Sequence, residues 1–141
     1  MCKSHNIVVE IVKKADLPSI AELYKLGGWW NESSSLGEIP FLIKGSFAFV
    51  VAEERKNRRI VGMGRVISDG VSDAYIQDVI VHPDYRGLGI GEMIVKKLKL
   101  YCLEHGICWI GLIAEPGTEE FYKKLGFKKM KGCTPMLFLK E

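Results

Sequence analysis

The sequence predicts an α/β fold of the α+β kind: a mixed, mostly antiparallel sheet of about six to seven strands, flanked by about four helices. Three observations predict it. Short β-branched runs separated by polar turns fill the first half, which suits an antiparallel meander with short connections. An apolar run over residues 76–81 then leads through a glycine-rich turn into a long stretch of helical periodicity. Another apolar run and a second short helical pattern follow.

Residues Ile7 to Val12 alternate loosely and are rich in β-branched side chains, as in a first strand near the sheet edge. Ala15-Asp16-Leu17-Pro18 opens a helix: Asp16 caps it, Pro18 is tolerated in the first turn, and Leu17, Ile20, Leu23 and Tyr24 form its apolar face before Gly27-Gly28. Trp29 and Trp30 stand beside the polar run Asn31–Ser35, with a short helix expected from about Leu36 to Lys44. Ser46–Glu54 and Ile60–Ile67 read as strands joined by the polar turn Arg55–Arg59, and Ser68-Asp69-Gly70 turns the chain into a central strand from about Asp73. From Gly89 on, Ile90, Met93, Ile94, Leu98, Tyr101 and Cys102 recur at helical spacing until Gly106. Ile107–Ile113 is an expected buried strand, and Pro116-Gly117-Thr118 a turn into a helix through Phe121-Tyr122 that ends at Leu125-Gly126. Phe127–Met130 and Pro135–Leu139 are two last expected strands.

At 141 residues, 48% hydrophobic and 26% charged, the chain suits one soluble domain over residues 1–141 with a real core. Twenty basic against 17 acidic residues leave +3, too small an excess to argue for nucleic acid. No window reaches the roughly 18 apolar residues of a membrane span, and no cleavage signature opens the chain, so a cytoplasmic protein is expected. Cys2, Cys102, Cys108 and Cys133 form no C-x-x-C pair and no Cys/His ligand spacing, which argues against a zinc site or a disulfide framework.

The most informative stretch is Val81-His82-Pro83-Asp84-Tyr85-Arg86-Gly87-Leu88-Gly89-Ile90-Gly91, where a strand ends and a helix begins. Its alternate glycines bare the backbone at the helix start, where amide N–H groups and the helix dipole favour a phosphate, and Arg86 adds a guanidinium able to hold one by two hydrogen bonds. A P-loop would need Gly-Lys followed by Ser or Thr, but Gly91 is followed by Glu92 and Met93. A Rossmann turn needs glycines at the first, third and sixth places, which this loop lacks.

What remains, Arg-x-x-Gly-x-Gly after a V-x-P strand end, resembles the pyrophosphate motif of the GNAT superfamily of acetyl-CoA-dependent N-acetyltransferases. Phe121-Tyr122-Lys123-Lys124-Leu125-Gly126-Phe127 is similar to that superfamily's FY-x-x-LGF segment, so the resemblance covers roughly Tyr75 to Phe127. GMGRVISDG followed by DVIVHP also resembles the subgroup holding the plant-type serotonin N-acetyltransferases.

The resemblance implies a sheet splayed between its fourth and fifth strands, where acetyl-CoA enters as co-substrate. Arg86 and the amides of Gly87, Leu88, Gly89, Ile90 and Gly91 would hold its diphosphate, while the pantetheine arm runs along Val79, Ile80 and Val81. The Val79 N–H would donate to the oxyanion, and Tyr122, protonated at neutral pH, would protonate the departing thiolate. Trp29 and Trp30 would form an apolar wall for the acceptor. The base stays open. Histone-acetylating members carry a carboxylate where this strand has Tyr75, and the nearest one, Asp78, falls on the other face unless a bulge intervenes. Asp69, Asp73 and Glu32 are further candidates, and His82 reads as a turn residue. Glu115 stands where many members place a pantetheine-binding asparagine, and an ionised carboxylate cannot donate there.

The expected reaction is direct acetyl transfer to a primary amine of a small molecule, with no metal. An acetyl-cysteine route is not expected, because none of the four cysteines falls in the proposed cleft. A protein or peptide N-acetyltransferase, or a non-catalytic acyl-CoA-binding sensor, are the alternatives. No nucleic acid or membrane partner is expected, and a homodimer is consistent with the resemblance.

Overall fold

The computed structural model describes residues 6–140. Its meander is β1 (Ile7–Ile11), β2 (Ala48–Glu54), β3 (Arg59–Ser68) and β4 (Asp73–Val81), each antiparallel to the next, and β5 (Trp109–Gly111) joins β4 in parallel. Strand order therefore follows chain order, β1-β2-β3-β4-β5. The helices are α1 (Leu17–Leu26), α2 (Ile39–Gly45), α3 (Ile90–Glu104) and α4 (Glu119–Lys124).

Each face of the sheet carries its own apolar cluster. On one side Ile20, Leu23 and Tyr24 of α1 and Ile39 and Ile43 of α2 cover Phe49, Val51, Met63 and Ile80. On the other, Ile94, Val95, Leu98 and Cys102 of α3 cover Val50, Val61, Val66 and Ile76. α1 forms as its sequence suggests: the Asp16 carboxylate accepts from the Ser19 N–H at 3.1 Å, Pro18 lies in the first turn, and Gly27 caps the end. α3 sits unusually close to the sheet because β3 offers it glycine. A Cβ added at Gly64 would lie 2.9 Å from Ile94 and 3.1 Å from Leu98, and one at Gly62 would lie 2.9 Å from Ile94. The GMG stretch is thus a seat for the helix that carries the glycine turn.

The sheet has five strands among the described residues, not the six to seven expected. The segments 127–130 and 135–139 run as chain without a sheet partner, and the expected strand Ile107–Ile113 is cut to Trp109–Gly111. Apolar, β-favouring side chains make a strand only when an edge accepts their backbone. Cys2 lies outside the described residues. Among the described residues no helix is long and apolar enough to cross a membrane.

Candidate active site

β4 is the spine of the site. Its pairing with β5 covers only Asp73↔Trp109, Ala74↔Ile110 and Tyr75↔Gly111, while its pairing with β3 continues to Val81. Beyond Tyr75 the β5 side of β4 is therefore an open edge. The His82 N–H donates to the Val61 carbonyl on β3 at 2.7 Å, so strand alternation turns Ile80 toward β3, and Val79 and Val81 toward the open edge. The expected splay between the fourth and fifth strands is this divergence.

A bulge does intervene in β4. Between the pairs Met63↔Ile80 and Arg65↔Gln77, Gly64 alone opposes Asp78 and Val79, and Asp78 adopts φ +58°, in the left-handed region. The bulge shifts the phase of the strand: Ala74 and Ile76 lie on the α3 side, and so do Val79 and Val81. Asp78 is thereby thrown to the α1 side, where its Oδ2 accepts from the Tyr24 hydroxyl at 2.8 Å and the Arg65 Nε at 2.6 Å. Neither donor uses Oδ1. Both charged side chains are largely buried, and Tyr24 is pushed well above the usual tyrosine range by burial and then by the adjacent Asp78 charge.

At the end of β4 the strand is pinned before it turns. Tyr85 is buried in the one-turn 3-10 segment Pro83–Tyr85 and its hydroxyl donates to the Glu54 carboxylate. His82 is a turn residue, as expected: its Nδ1 accepts from the Asp84 N–H, and its Nε2 lies 3.2 Å from Glu22. Arg86 follows, exposed, with its Nε donating to the Val81 carbonyl at 3.2 Å, which leaves the terminal amino groups of the guanidinium outward. Gly87 and Gly89 both take φ +79°, and Gly89 caps α3 with no side-chain hydrogen bond. The first helical bond is Met93 N–H to Gly89, so the amides from Gly89 to Glu92 have no helical acceptor. Leu88 projects between them, half exposed. Gly91 has a different reason to be glycine, because a Cβ there would press on the Phe121 ring at 3.3 Å.

Phe121 and Tyr122 of α4 close the other side. Lys99 of α3 donates to the Leu125 carbonyl at 2.6 Å and so fixes the end of α4. Tyr122 packs edge-on to Phe121 and Phe127, and burial, followed by the Glu115 charge, raises its pKa. It faces an open cleft of about 520 Å³, whose walls include Tyr75, Ile113, Glu115 and Glu119. Tyr75 is half exposed and meets Trp109 edge-on at 5.3 Å.

The open edge of β4 thus has Arg86 and the glycine turn just beyond its Val81 end and Tyr75, which lines the cleft with Tyr122, at its other end, with Asp78 on the far side of the strand. Trp29 and Trp30 are not among the cleft residues: Trp29 folds over Gly27 and meets Tyr24 edge-on, and Trp30 lies under the Lys25 ammonium. Asp69 holds the turn after β3 through the Val71 and Ser72 N–H groups, which lower its pKa. One expectation is overturned: Cys133 does line the cleft. The chain after α4 runs along the opening instead of returning into the sheet. Sequence reasoning missed Arg65 and Tyr24 as partners of Asp78. The available signal was an acidic residue standing in the apolar phase of Ile76 and Ile80.

A family model described as acetyltransferase (GNAT) domain matches residues 45–129. An uncharacterized N-acetyltransferase ycf52 of Pyropia yezoensis is 34% identical over 126 residues, 88% of this chain and 71% of that protein. Histone acetyltransferase TAP1 of Glycine max is 39% identical over 77 residues, 55% of this chain and 33% of that protein. Serotonin N-acetyltransferase 2, chloroplastic, of Oryza sativa subsp. japonica is 39% identical over 69 residues, 49% of this chain and 34% of that protein. Among solved structures, the GNAT family protein SP0256 from Streptococcus pneumoniae TIGR4 superposes with a TM-score of 0.78 at 26% identity, covering 95% of this chain and 98% of that one.

Proposed function

The chain belongs to the GNAT superfamily of N-acetyltransferases, and we propose that its 141 residues act as one domain that moves acetyl from acetyl-CoA directly to a primary amine of a small molecule. Acetyltransferase activity and acetyl-CoA as co-substrate come with the family. One observation carries the assignment of residues: the β4 edge that opens beyond Tyr75 runs from the glycine turn to the Tyr122 cleft.

The unsatisfied amides at the start of α3 and the outward guanidinium of Arg86 suit a diphosphate, because both supply donors without needing a side chain to move. Gly87, Leu88, Gly89, Ile90 and Gly91 present that backbone. The edge-facing N–H and C=O of Val79 and the N–H of Val81, whose carbonyl accepts from Arg86, suit the two amides of a pantetheine arm in the manner of an added strand.

In the reaction the amine nitrogen attacks the thioester carbonyl carbon. The Val79 N–H donates to the oxygen as it gains charge. The carbon–sulfur bond then breaks, and the Tyr122 hydroxyl gives its proton to the thiolate. Burial and Glu115 keep that hydroxyl protonated at neutral pH, which is the state an acid needs. The proton lost by the amine leaves through water toward Asp78 Oδ1, the oxygen that neither Tyr24 nor Arg65 uses. We assign Asp78 this acceptor-orienting role and Arg65 and Tyr24 its positioning.

The cleft favours a small aromatic amine over a lysine side chain of a protein. Tyr75 takes the position at which histone-acetylating members carry a carboxylate, and with Tyr122 it offers ring surface beside the carboxylates of Glu115 and Glu119, its own ring held edge-on by Trp109. The similarity to TAP1 keeps a protein acceptor as the second reading. Release of CoA thiol from acetyl-CoA, measured across arylalkylamines, polyamines, aminoglycosides, amino acids and lysine peptides, decides between them. Turnover confined to lysine peptides would overturn the small-molecule reading, and acetyl-CoA binding without turnover on any acceptor would favour a sensor. Because Cys133 borders the cleft, initial velocities at varied acetyl-CoA and amine also matter. Intersecting lines support direct transfer, and parallel lines would mean an acetyl-enzyme.

A further inference from the structure

The glycine turn that suits a diphosphate has little of its own to hold it in shape. Gly87 and Gly89 both take φ +79°, and a Cβ built on either would meet nothing within 4 Å, so packing confines neither. Glycine also has more conformational freedom to lose than any other residue when it is fixed. The turn is therefore confined by the two buried residues between which it is slung, Tyr85 before it and Ile90 after it. Ile90 sits in the apolar cluster under α3, and such burial sets depth but not direction. Tyr85 is held by direction as well.

Two residues paired across the hairpin of β2 and β3, Glu54 and Arg59, hold it. The Glu54 carboxylate accepts from the Tyr85 hydroxyl through Oε2, and from the Asn57 Nδ2 at 3.1 Å through Oε1. The guanidinium carbon of Arg59 lies over the Tyr85 ring, 5.6 Å from its centre. Arg59 Nη2 is also 3.2 Å from His82 Nε2, and the His82 ring meets Tyr85 edge-on at 6.2 Å. Tyr85 and its neighbour then diverge: Tyr85 turns inward to Glu54, and Arg86 stands exposed with its Nε on the Val81 carbonyl.

Glu54 is the one buried carboxylate among the described residues, 5% exposed, and it does not line the Tyr122 cleft. Burying a carboxylate is costly, and replacing a buried ionic or polar arrangement by apolar side chains of like volume is often neutral or stabilising. Packing alone does not call for an acid at this place. A charge-assisted hydrogen bond is short and directional, which suits an anchor for a turn built on glycine.

We propose that Glu54, acting through Tyr85, is a positioning residue for acetyl-CoA. It fixes the backbone between Tyr85 and Ile90, so that Arg86 and the free amides at the start of α3 meet the diphosphate without first having to be ordered. The proposal rests on the reading that the glycine turn holds the diphosphate.

Tyr85→Phe removes one oxygen, keeps the ring, and leaves the buried Glu54 carboxylate with one bond fewer. Glu54→Met/Tyr85→Phe removes the charge as well. Both variants, Arg86→Ala and the parent are titrated with acetyl-CoA by calorimetry and with S-acetylpantetheine, which lacks the diphosphate, by NMR. Thermal unfolding is followed by circular dichroism. The expected result is that Tyr85→Phe melts below the parent and the double variant regains the lost stability without regaining affinity. Both should bind acetyl-CoA roughly 3–30-fold more weakly, the effect of one or two side chains that must be ordered on binding. S-acetylpantetheine should bind all four proteins alike. Two results would overturn the proposal while leaving the reading of the turn intact. One is an unchanged acetyl-CoA affinity in either variant although Arg86→Ala weakens it. The other is an equal weakening of both ligands, the mark of a merely structural contact. Unchanged acetyl-CoA binding in Arg86→Ala would instead remove the diphosphate from the turn, and the proposal with it.

Discussion

Replacing Asp78 by Asn removes one charge from the α1 side of β4 and little else. Asn tolerates the left-handed backbone as Asp does, so the φ of +58° adds no new strain. What changes is Arg65, whose Nε lies 2.6 Å from the carboxylate while the two side chains keep only 15% and 18% of their exposure. Breaking a fully buried pair costs about 3–5 kcal/mol, mostly because the remaining charge is left without compensation. The residual exposure lets water reach Arg65, and Tyr24 can still bond to the amide, so we expect a loss of about 2–3 kcal/mol. For a chain of this length each kcal/mol lowers Tm by roughly 3–4 °C, so Asp78→Asn should melt about 6–12 °C below the parent. Thermal unfolding followed by circular dichroism measures this. A Tm within about 2 °C of the parent would mean that the pair is solvated and contributes as little as a surface ion pair, and would refute the reasoning from burial. A folded variant with the parent's kcat would separately remove Asp78 from the reaction.

Tyr122→Phe keeps the ring packing and removes the proposed acid; kcat should fall roughly 10–100-fold, with little change in KM for acetyl-CoA, in a thiol-release assay. Arg86→Ala should instead weaken acetyl-CoA binding by roughly 10–100-fold in calorimetry, because charge-assisted hydrogen bonds are worth about 1.5–3 kcal/mol, while S-acetylpantetheine, which lacks the diphosphate, should bind both proteins alike. Gly64→Ala drives a Cβ to within 2.9 Å of Ile94 and 3.2 Å of Val79, so it should cost about 1–3 kcal/mol in urea unfolding and lower kcat through displacement of Val79. Burial raises the pKa of both Tyr24 and Tyr122, so above the ordinary value of 10.0 the unfolded chain releases protons that the folded one keeps. Stability should therefore be fully present below pH 10 and fall as pH rises beyond it, and a flat urea midpoint across that range would contradict the burial.

The meander was legible because its strands are written in residues that suit little else. Val50, Val51, Val61, Val66 and Ile76 are β-branched and fully or almost fully buried, and the turns between them are polar or contain glycine. Asp16, Pro18 and Gly27 bounded α1 for equally local reasons. The last two strands failed because a strand is a relation between segments. Pro135–Leu139 has the composition of one, but its partner edge is not encoded within the segment, and in the structure it pairs with no strand.

The site divides along the same line. Arg86, Gly87, Gly89 and Tyr122 were readable because a turn with positive φ and an unsatisfied helix start require particular residues at fixed spacing. The Asp78–Arg65–Tyr24 arrangement was not, since its members lie 13 and 54 positions apart and meet only through the bulge. The bulge left a trace all the same. Ile76, Asp78 and Ile80 share a phase in any regular strand, which would bury an acid among the residues facing α3. Inserting one residue opposite Gly64 sends Asp78 to Arg65 and brings Val79 and Val81 onto the α3 side in its place. The same insertion sets which amides reach the open edge, because each residue's N–H and C=O point with the alternation that the bulge resets. A regular β4 ending on the same His82–Val61 bond would still offer Val79 and Val81 to the cleft, but it would place Gln77 there as well and leave Asp78 facing β3. The placement of Asp78 beside Arg65 and Tyr24, with Val79 and Val81 on the α3 side, is therefore a consequence of a single extra residue.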